Sequence, residues 1–203
     1  MIKYLGSKRT LIPALTQLGK ASGAKTALDL FTGTTRVAQA FKKLGMTVTA
    51  SDVASYAECF GKTWIELDST QVNQAELDAA IAKLNALPGE AGYFTEKFCI
   101  EARYFQPKNG EKVDAMRKHI ELEYKDSWLY YPLLTSLILA ADRVDSTTGI
   151  QMAFLKGWAS RSANNLELRD PELLPGAGFS VRGDALEIAK DLPAVDLAYL
   201  DPP

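Results

Sequence analysis

Histidine occurs once and cysteine twice in this chain of 203 residues. Cys59 and Cys99 show no metal-ligand spacing, and two thiols in a chain of this length read as intracellular residues used for packing. The one histidine, His119, sits in a Lys-His-Ile-Glu stretch of helix and is expected to face solvent. Long apolar runs are also missing. The longest, around residues 133–141, falls well short of the ~20 residues that span a bilayer, and the amino terminus has no charged-then-apolar signal pattern. The expectation is a cytoplasmic protein with no membrane partner. Repeats and low-complexity tracts are absent as well. What the chain does have is 47% apolar composition, enough for one sizeable core, and an uneven charge. Residues 1–51 hold eight Lys or Arg against the single acid Asp29, whereas 52–203 hold fifteen bases against twenty-four acids. A positive segment of that kind suits a face for phosphates; a Lys-rich solvated helix would give the same count.

Periodicity places a compact strand over 27–31, then turn residues, then a helix with Val37, Ala38, Phe41 and Leu44 at helical spacing. "MTVTASD" (46–52) alternates Met46, Val48 and Ala50 with threonine or serine and reads as a second strand ending on Asp52. Together they form a βαβ unit with parallel strands and a right-handed crossover. From 66 to 175 the pattern turns helical, with Leu77, Ile81 and Leu84 on one face, Val113, Met116, Ile120 and Tyr124 on another, and an apolar stretch over 128–144. Connections within an α/β domain usually run ~2–6 residues, so this block reads as an inserted helical subdomain. After "LLPGAG" the sheet resumes, with "FSVRGDALEIAKDL" as strand, turn and helix and "AVDLAYLDPP" as a further strand. The expected organisation is 1–65, 66–175 and 176–203.

Four stretches carry candidate chemistry. In "DLFTGTTRVA" (29–38), Gly33 lets backbone approach a ligand beside the helix amino terminus, though any tight β-to-α turn would use a glycine too. Asp52 follows Gly33 by nineteen residues, where a carboxylate accepts the hydroxyls of a ribose, or caps the next helix. The pair together points to a cofactor bearing a nucleoside. "KYLGSKRTLI" (3–12) sets three bases around an aromatic and a glycine; alone it reads as a solvated face. Asp201-Pro202-Pro203 is a stiff turn at the carboxyl end of an apolar strand, where open α/β sheets bind their ligands, and by itself only a turn.

In that order these stretches resemble the DNA adenine methyltransferases of the Dam type. That family has a Lys-aromatic-x-Gly-x-Lys start, a Phe-x-Gly turn, an acid ending the second strand, a variable helical region and an Asp-Pro-Pro-Tyr strand end. The matching residues are Lys3, Tyr4, Gly6 and Lys8, then Asp29, Phe31 and Gly33, then Asp52, then Asp201, Pro202 and Pro203. "ARYFQPKNG" (102–110) and "TTGIQMAFLKGW" (147–158) are also similar to stretches of relatives. The resemblance implies an α/β fold, a partial Rossmann-like S-adenosylmethionine-dependent methyltransferase sheet with an inserted helical subdomain. It implies a donor held by Lys3, Tyr4 and Lys8, by Asp29, Phe31, Thr32, Gly33 and Thr34, by Asp52 at the ribose, and by Asp184 and Ala185 near the donor's adenine. The partner is double-stranded DNA, with a flipped adenine at Asp201, Pro202 and Pro203. DNA contacts are expected from Lys8, Arg9, Arg143, Lys156, Arg161 and Asn164. Direct attack by the adenine amine needs no cysteine nucleophile.

Two departures qualify the resemblance. Thr35 stands where the family often has a second glycine; its Cβ is expected to narrow the approach to the donor as a variant of the turn, without loss of binding. The sequence also ends at Pro203, before the aromatic that stacks on the flipped base in the family. The expectation is an incomplete chain, poorly active alone, that pairs with a complementing carboxyl-terminal polypeptide or with itself, or else an inactive donor- or DNA-binding fragment. A nicotinamide oxidoreductase would use Gly33 and Asp52 equally, but it calls for a G-x-G-x-x-G turn that "GTTRVA" does not supply.

Overall fold

The computed structural model describes residues 8–148 and 157–202. Lys3, Tyr4, Gly6, Lys156 and Pro203 lie outside the described residues, as does the side chain of Arg9. The described chain divides into two compact units, a sheet unit of residues 8–74 with 172–202 and a helical unit of residues 75–171.

The sheet unit contains α1 (Ile12–Ser22), β1 (Thr26–Asp29), α2 (Arg36–Lys43), β2 (Thr47–Asp52) and α3 (Ser55–Phe60), and after the helical unit β3 (Gly178–Arg182), α7 (Ala185–Asp191) and β4 (Leu197–Tyr199). All pairings are parallel, in the order β3-β2-β1-β4, with Ala27 opposite both Val48 and Leu197. β1 is short and apolar because it runs through the middle of the unit: Ala27 and Val48 are fully buried. Helix α2 is enclosed over most of its length, with Val37, Ala38, Gln39, Ala40, Phe41 and Lys42 all buried.

The charge on Lys42 is accommodated by a second element. A π-helical turn, Gly61–Glu66, continues from α3, and Lys42 Nζ donates to the carbonyls of Trp64, Ile65 and Leu67 at 3.0, 2.9 and 2.6 Å. Burial pushes the lysine down to about 8, yet each ammonium proton has an acceptor at the open carboxyl end of that turn. The same turn lies so close to β3 that a Cβ on Gly178 would sit 2.7 Å from the carbonyl oxygens of both Ile65 and Val48, which reserves that position for glycine.

The helical unit is built on α4 (Gln74–Ala86), a π-helical segment Thr95–Glu101, α5 (Pro107–Tyr124) and α6 (Tyr130–Val144). Leu77, Ile81, Leu84, Val113, Met116, Ile120, Leu133 and Leu137 form its core, each contributing about 2 kcal/mol by burial. Asp114 receives the amides of Gly92, Phe94 and Thr95 at 2.9, 2.9 and 2.8 Å and the Thr95 hydroxyl at 2.7 Å, closing the start of the π segment. Desolvation works against that carboxylate, and the four donors outweigh it to hold the acid below its usual range. His119 is half-buried against Glu123 at 2.8 Å, where solvent exposure was expected. Cys59 is half-buried and Cys99 buried, both as free thiols. The helical pattern expected to reach 175 stops earlier: in residues 157–170 only the short 3-10 turn Ser160–Ala163 is regular. Among the described residues no helix is long and apolar enough to cross a membrane.

Candidate active site

Strand order decides where the polar residues meet. β2 and β3 lie on one side of β1 and β4 on the other, so the carboxyl ends of β1 and β4 flank a topological switch point, the crevice in which open α/β sheets hold ligands. Asp29 ends β1, Asp52 ends β2, and Asp201 follows β4 by two residues. All three, with Gly33, belong to the sheet unit.

Asp29 is 2% exposed and accepts hydrogen bonds from the Thr32 hydroxyl at 3.0 Å and the Ala38 amide at 3.1 Å. It thereby ties the strand end to the first turn of α2. Burial pushes its carboxyl up to about 6, the charges of Asp52 and Asp201 add to the rise, and the two donors oppose it. Between strand and helix the backbone turns through two left-handed residues, Gly33 at φ 50° and Thr35 at φ 58°. The first suits glycine. At the second a β-branched residue is a steric outlier that costs about 1–3 kcal/mol. Thr35 is fully buried, its hydroxyl donating to the Thr34 carbonyl at 2.7 Å and accepting from Gln39 Nε2 at 2.9 Å. Its side chain therefore points into the protein and does not narrow the approach to the crevice, contrary to expectation.

Asp52 acts on both sides of itself: one oxygen accepts the Gly33 amide at 2.8 Å and the other the Ala54 amide at 2.9 Å ahead of α3. It braces the turn on one side and closes a two-residue turn of its own chain ahead of α3 on the other, and each oxygen retains a lone pair for a further donor. Beside it Ser51 Oγ is buried with no hydrogen-bond partner, an orphaned polar atom at the carboxyl end of β2. Three carboxylates and an orphaned hydroxyl at one sheet edge fit a cationic, nucleoside-bearing ligand. Phe31 is half-buried, and Thr32 and Thr34 are buried within the turn. Asp184 is exposed and caps α7, accepting from the Leu186 amide at 2.8 Å, and Ala185 is the first residue of that helix.

At the other lip, Lys8 forms an ion pair with Asp201 at 2.5 Å. Tyr199, on the same face of the chain two residues earlier, hydrogen-bonds to Asp201 as well, and burial together with the nearby Asp201 charge pushes its phenol up. Pro202 is exposed. The remaining candidates belong to the helical unit. An Arg143 guanidinium nitrogen donates to the Glu167 carbonyl at 2.6 Å, and Arg161 binds Asp145 at 2.6 Å and the Thr147 carbonyl at 2.6 Å. Asn164 is exposed. Among the described residues no group of His, Cys, Asp or Glu could hold a metal ion.

The sequence reading missed Tyr199, Ser51 and Gln39. Tyr199 stands at i−2 from Asp201, the spacing that puts two strand residues on one face, and Gln39, like Lys42, is a polar residue among the buried apolar positions of α2.

A four-stranded parallel sheet with its polar residues at this switch point is a Rossmann-like methyltransferase fold. The family model for the D12 class N6 adenine-specific DNA methyltransferases matches residues 4–203, and the chain belongs to that family. It is 32% identical over 218 residues to the type II methyltransferase M.NlaIII of Neisseria lactamica, an alignment that takes in all of this chain and 64% of that protein. It is 32% identical to the modification methylase StsI of Streptococcus sanguinis and 26% identical to the modification methylase LlaI of Lactococcus lactis subsp. lactis, again over its whole length. The chain spans 33% and 35% of those two relatives. No solved structure matches it.

Proposed function

We propose that this chain carries the donor pocket and the reacting edge of a site-specific DNA methyltransferase, which moves a methyl group from S-adenosylmethionine to the exocyclic amine of an adenine flipped out of duplex DNA. The observation that carries the reading is the placement of Asp201 across the switch point from Asp29, Gly33 and Asp52, in a chain matched to the family from residue 4 to residue 203. The donor supplies an electrophilic methyl group. Lys3, Tyr4 and Lys8 with Asp29, Phe31, Thr32, Gly33 and Thr34 hold its methionine end, Asp52 and Ser51 its ribose, and Asp184 and Ala185 flank its adenine. The Asp201 carboxylate and Pro202 carbonyl accept hydrogen bonds from the adenine amine, orient its lone pair and stabilise the charge that develops on it, while Pro203 stiffens the turn. Lys8 and Tyr199 fix the Asp201 carboxylate for that task.

DNA contacts fall to Lys8, Arg9, Arg143, Lys156, Arg161 and Asn164, and a DNA substrate places the enzyme in the cytoplasm. Ala198 on β4 and Leu200 just after it are exposed, and the outer edge of β4 pairs with no strand among the described residues. Such an edge accepts another strand, from a complementing polypeptide or from a second copy.

Calorimetric titration with S-adenosylmethionine tests the donor pocket. The chain binds the donor, and Asp52→Ala weakens binding by more than about tenfold, ~1.4 kcal/mol. Asp201→Ala leaves donor binding intact and lowers tritiated methyl transfer to unmethylated duplex DNA by about 10²-fold or more, measured with the chain alone or supplied with a complementing polypeptide. A folded chain that binds no donor, or binds it equally well with Asp52→Ala, overturns the reading.

A further inference from the structure

Arg103 and Tyr104 have no part in the site above, yet the helical unit brings them against Ser146 and Trp158. The Ser146 amide donates to the Tyr104 carbonyl at 2.7 Å, the Ala159 amide donates to Ser146 Oγ at 2.9 Å, and the Arg103 guanidinium lies over the Trp158 ring, 5.4 Å from its centroid. Trp158 and Tyr104 remain 39% and 37% exposed. Arg103 is held at φ 55°, a left-handed conformation that side chains rarely adopt, so the chain bends against its preference to lay this cation on that ring.

The backbone that continues from Trp158 is irregular but firmly held. Asn109, 1% exposed, donates to the carbonyls of Ser162 and Asn164 at 3.3 and 2.9 Å and accepts the Leu166 amide at 2.9 Å. Asn85 brackets Leu168 in the same way at 3.0 and 2.8 Å, and Ser136 brackets Arg169 at 2.6 and 3.0 Å. Side chains from α4, α5 and α6 thus stand in for a neighbouring strand. Leu166 and Leu168 face inward, and Asn164 and Asn165 are left exposed, with Lys108 Nζ on the Asn165 side-chain oxygen at 2.8 Å.

Three helices thus hold a non-helical strip that exposes Asn164, Asn165, Glu167 and Arg169, and the neighbouring chain adds a cation, Arg103, and two part-exposed aromatic rings, Tyr104 and Trp158. An apolar protein partner would find little there to bury. Nucleic acid fits better: aromatic faces stack on bases or sugars, an arginine over a ring neutralises a phosphate, and asparagine amides read base edges. We propose that Arg103, Tyr104, Trp158, Asn164 and Asn165 form a preorganised docking surface for DNA in the helical unit. The inference rests on the DNA substrate argued above and goes further by naming the surface that receives it.

The test is fluorescence anisotropy of the full chain with a labelled, unmethylated duplex at about 50 and 200 mM salt, alongside thermal unfolding and donor titration. Arg103→Gly weakens DNA binding about tenfold and makes the plot of log affinity against log salt shallower by about one, without lowering the melting temperature, because glycine adopts φ 55° freely. Trp158→Ala weakens binding by a similar factor and leaves donor affinity unchanged. A role confined to folding predicts neither the altered salt slope nor a weaker binder that melts no lower. Variants that bind DNA within about twofold of the parent chain overturn this surface while the substrate reading stands. A parent chain that binds no duplex at the lower salt overturns both.

Discussion

The sheet unit and the helical unit hold their polar side chains in place by opposite means. In the sheet unit the strands fix the positions and the acids are consequences of them: Asp29, Asp52 and Asp201 sit at or just past strand ends, and their bonds tune a turn that the sheet has already placed. In the helical unit the side chains fix the backbone, and Asn85, Asn109 and Ser136 together hold a strip that belongs to no sheet. The first arrangement tolerates change at a single side chain as long as the strand survives. The second concentrates its stability in a few buried amides, and this difference orders the expected effects of mutation.

The largest effect is expected at Asn109. Replacing it with alanine leaves two carbonyls and one amide without their partner in a site that is 1% exposed, and at about 1–3 kcal/mol for each unsatisfied group the total loss is about 4 kcal/mol. Trp128 and Trp158 lie in the helical unit and Trp64 in the sheet unit, so urea unfolding of single-tryptophan variants assigns the loss to one unit. A cost below about 1 kcal/mol would mean that the strip is held by Leu166 and Leu168 instead.

This contrast also explains what could be read in advance. Strand, turn, helix and strand over 26–52 follow from alternation and helical spacing. The Gly33 to Asp52 interval reads as a ribose site, and the 2.8 Å hydrogen bond that joins the two residues was not foreseen. The neighbouring of β4 and β1 was not legible, because strand order is set by the whole sheet, and the ion pair of Lys8 with Asp201 across 193 positions follows from that order. "NNLELRD" (164–170) alternates with a period of two and departs from the helical pattern assigned to the block. Its hydrogen-bonding partners are side chains scattered over three helices, and no local pattern announces those. Lys42 and Gln39 are similar: polar residues on a buried helix face whose partners lie 22–25 residues away or one turn back.

A smaller effect, about 3 kcal/mol, belongs to Asp29 and appears only as a function of pH. Its folded-state value of about 6 lies above the 3.8 of an ordinary aspartate, so between those values the folded chain binds more protons than the unfolded one. The associated stability is present below about pH 4 and is lost as pH rises through 6, about 1.4 kcal/mol per unit. Asp29→Asn cannot titrate. The difference in unfolding free energy between parent and variant should therefore drift by about 3 kcal/mol against the parent from pH 4 to pH 7. A flat difference would show that Thr32 and Ala38 stabilise the anion as much as burial penalises it, and the sheet unit would then depend on side-chain bonds as the helical unit does.

The smallest effect sharpens the comparison most, because it sets backbone against side chain at one residue. Thr35 endures a left-handed backbone while its hydroxyl joins Gln39 to the Thr34 carbonyl. Thr35→Val keeps the strain and the volume but removes both bonds, and it should cost about 2 kcal/mol in chemical denaturation. Thr35→Gly removes the bonds and the strain together, so the two changes nearly cancel and stability moves by less than about 0.5 kcal/mol. If glycine instead costs as much as valine, the conformation carries little strain and the threonine side chain shapes the turn. If the two variants separate as expected, the sheet imposes the left-handed geometry and the threonine hydroxyl offsets its cost.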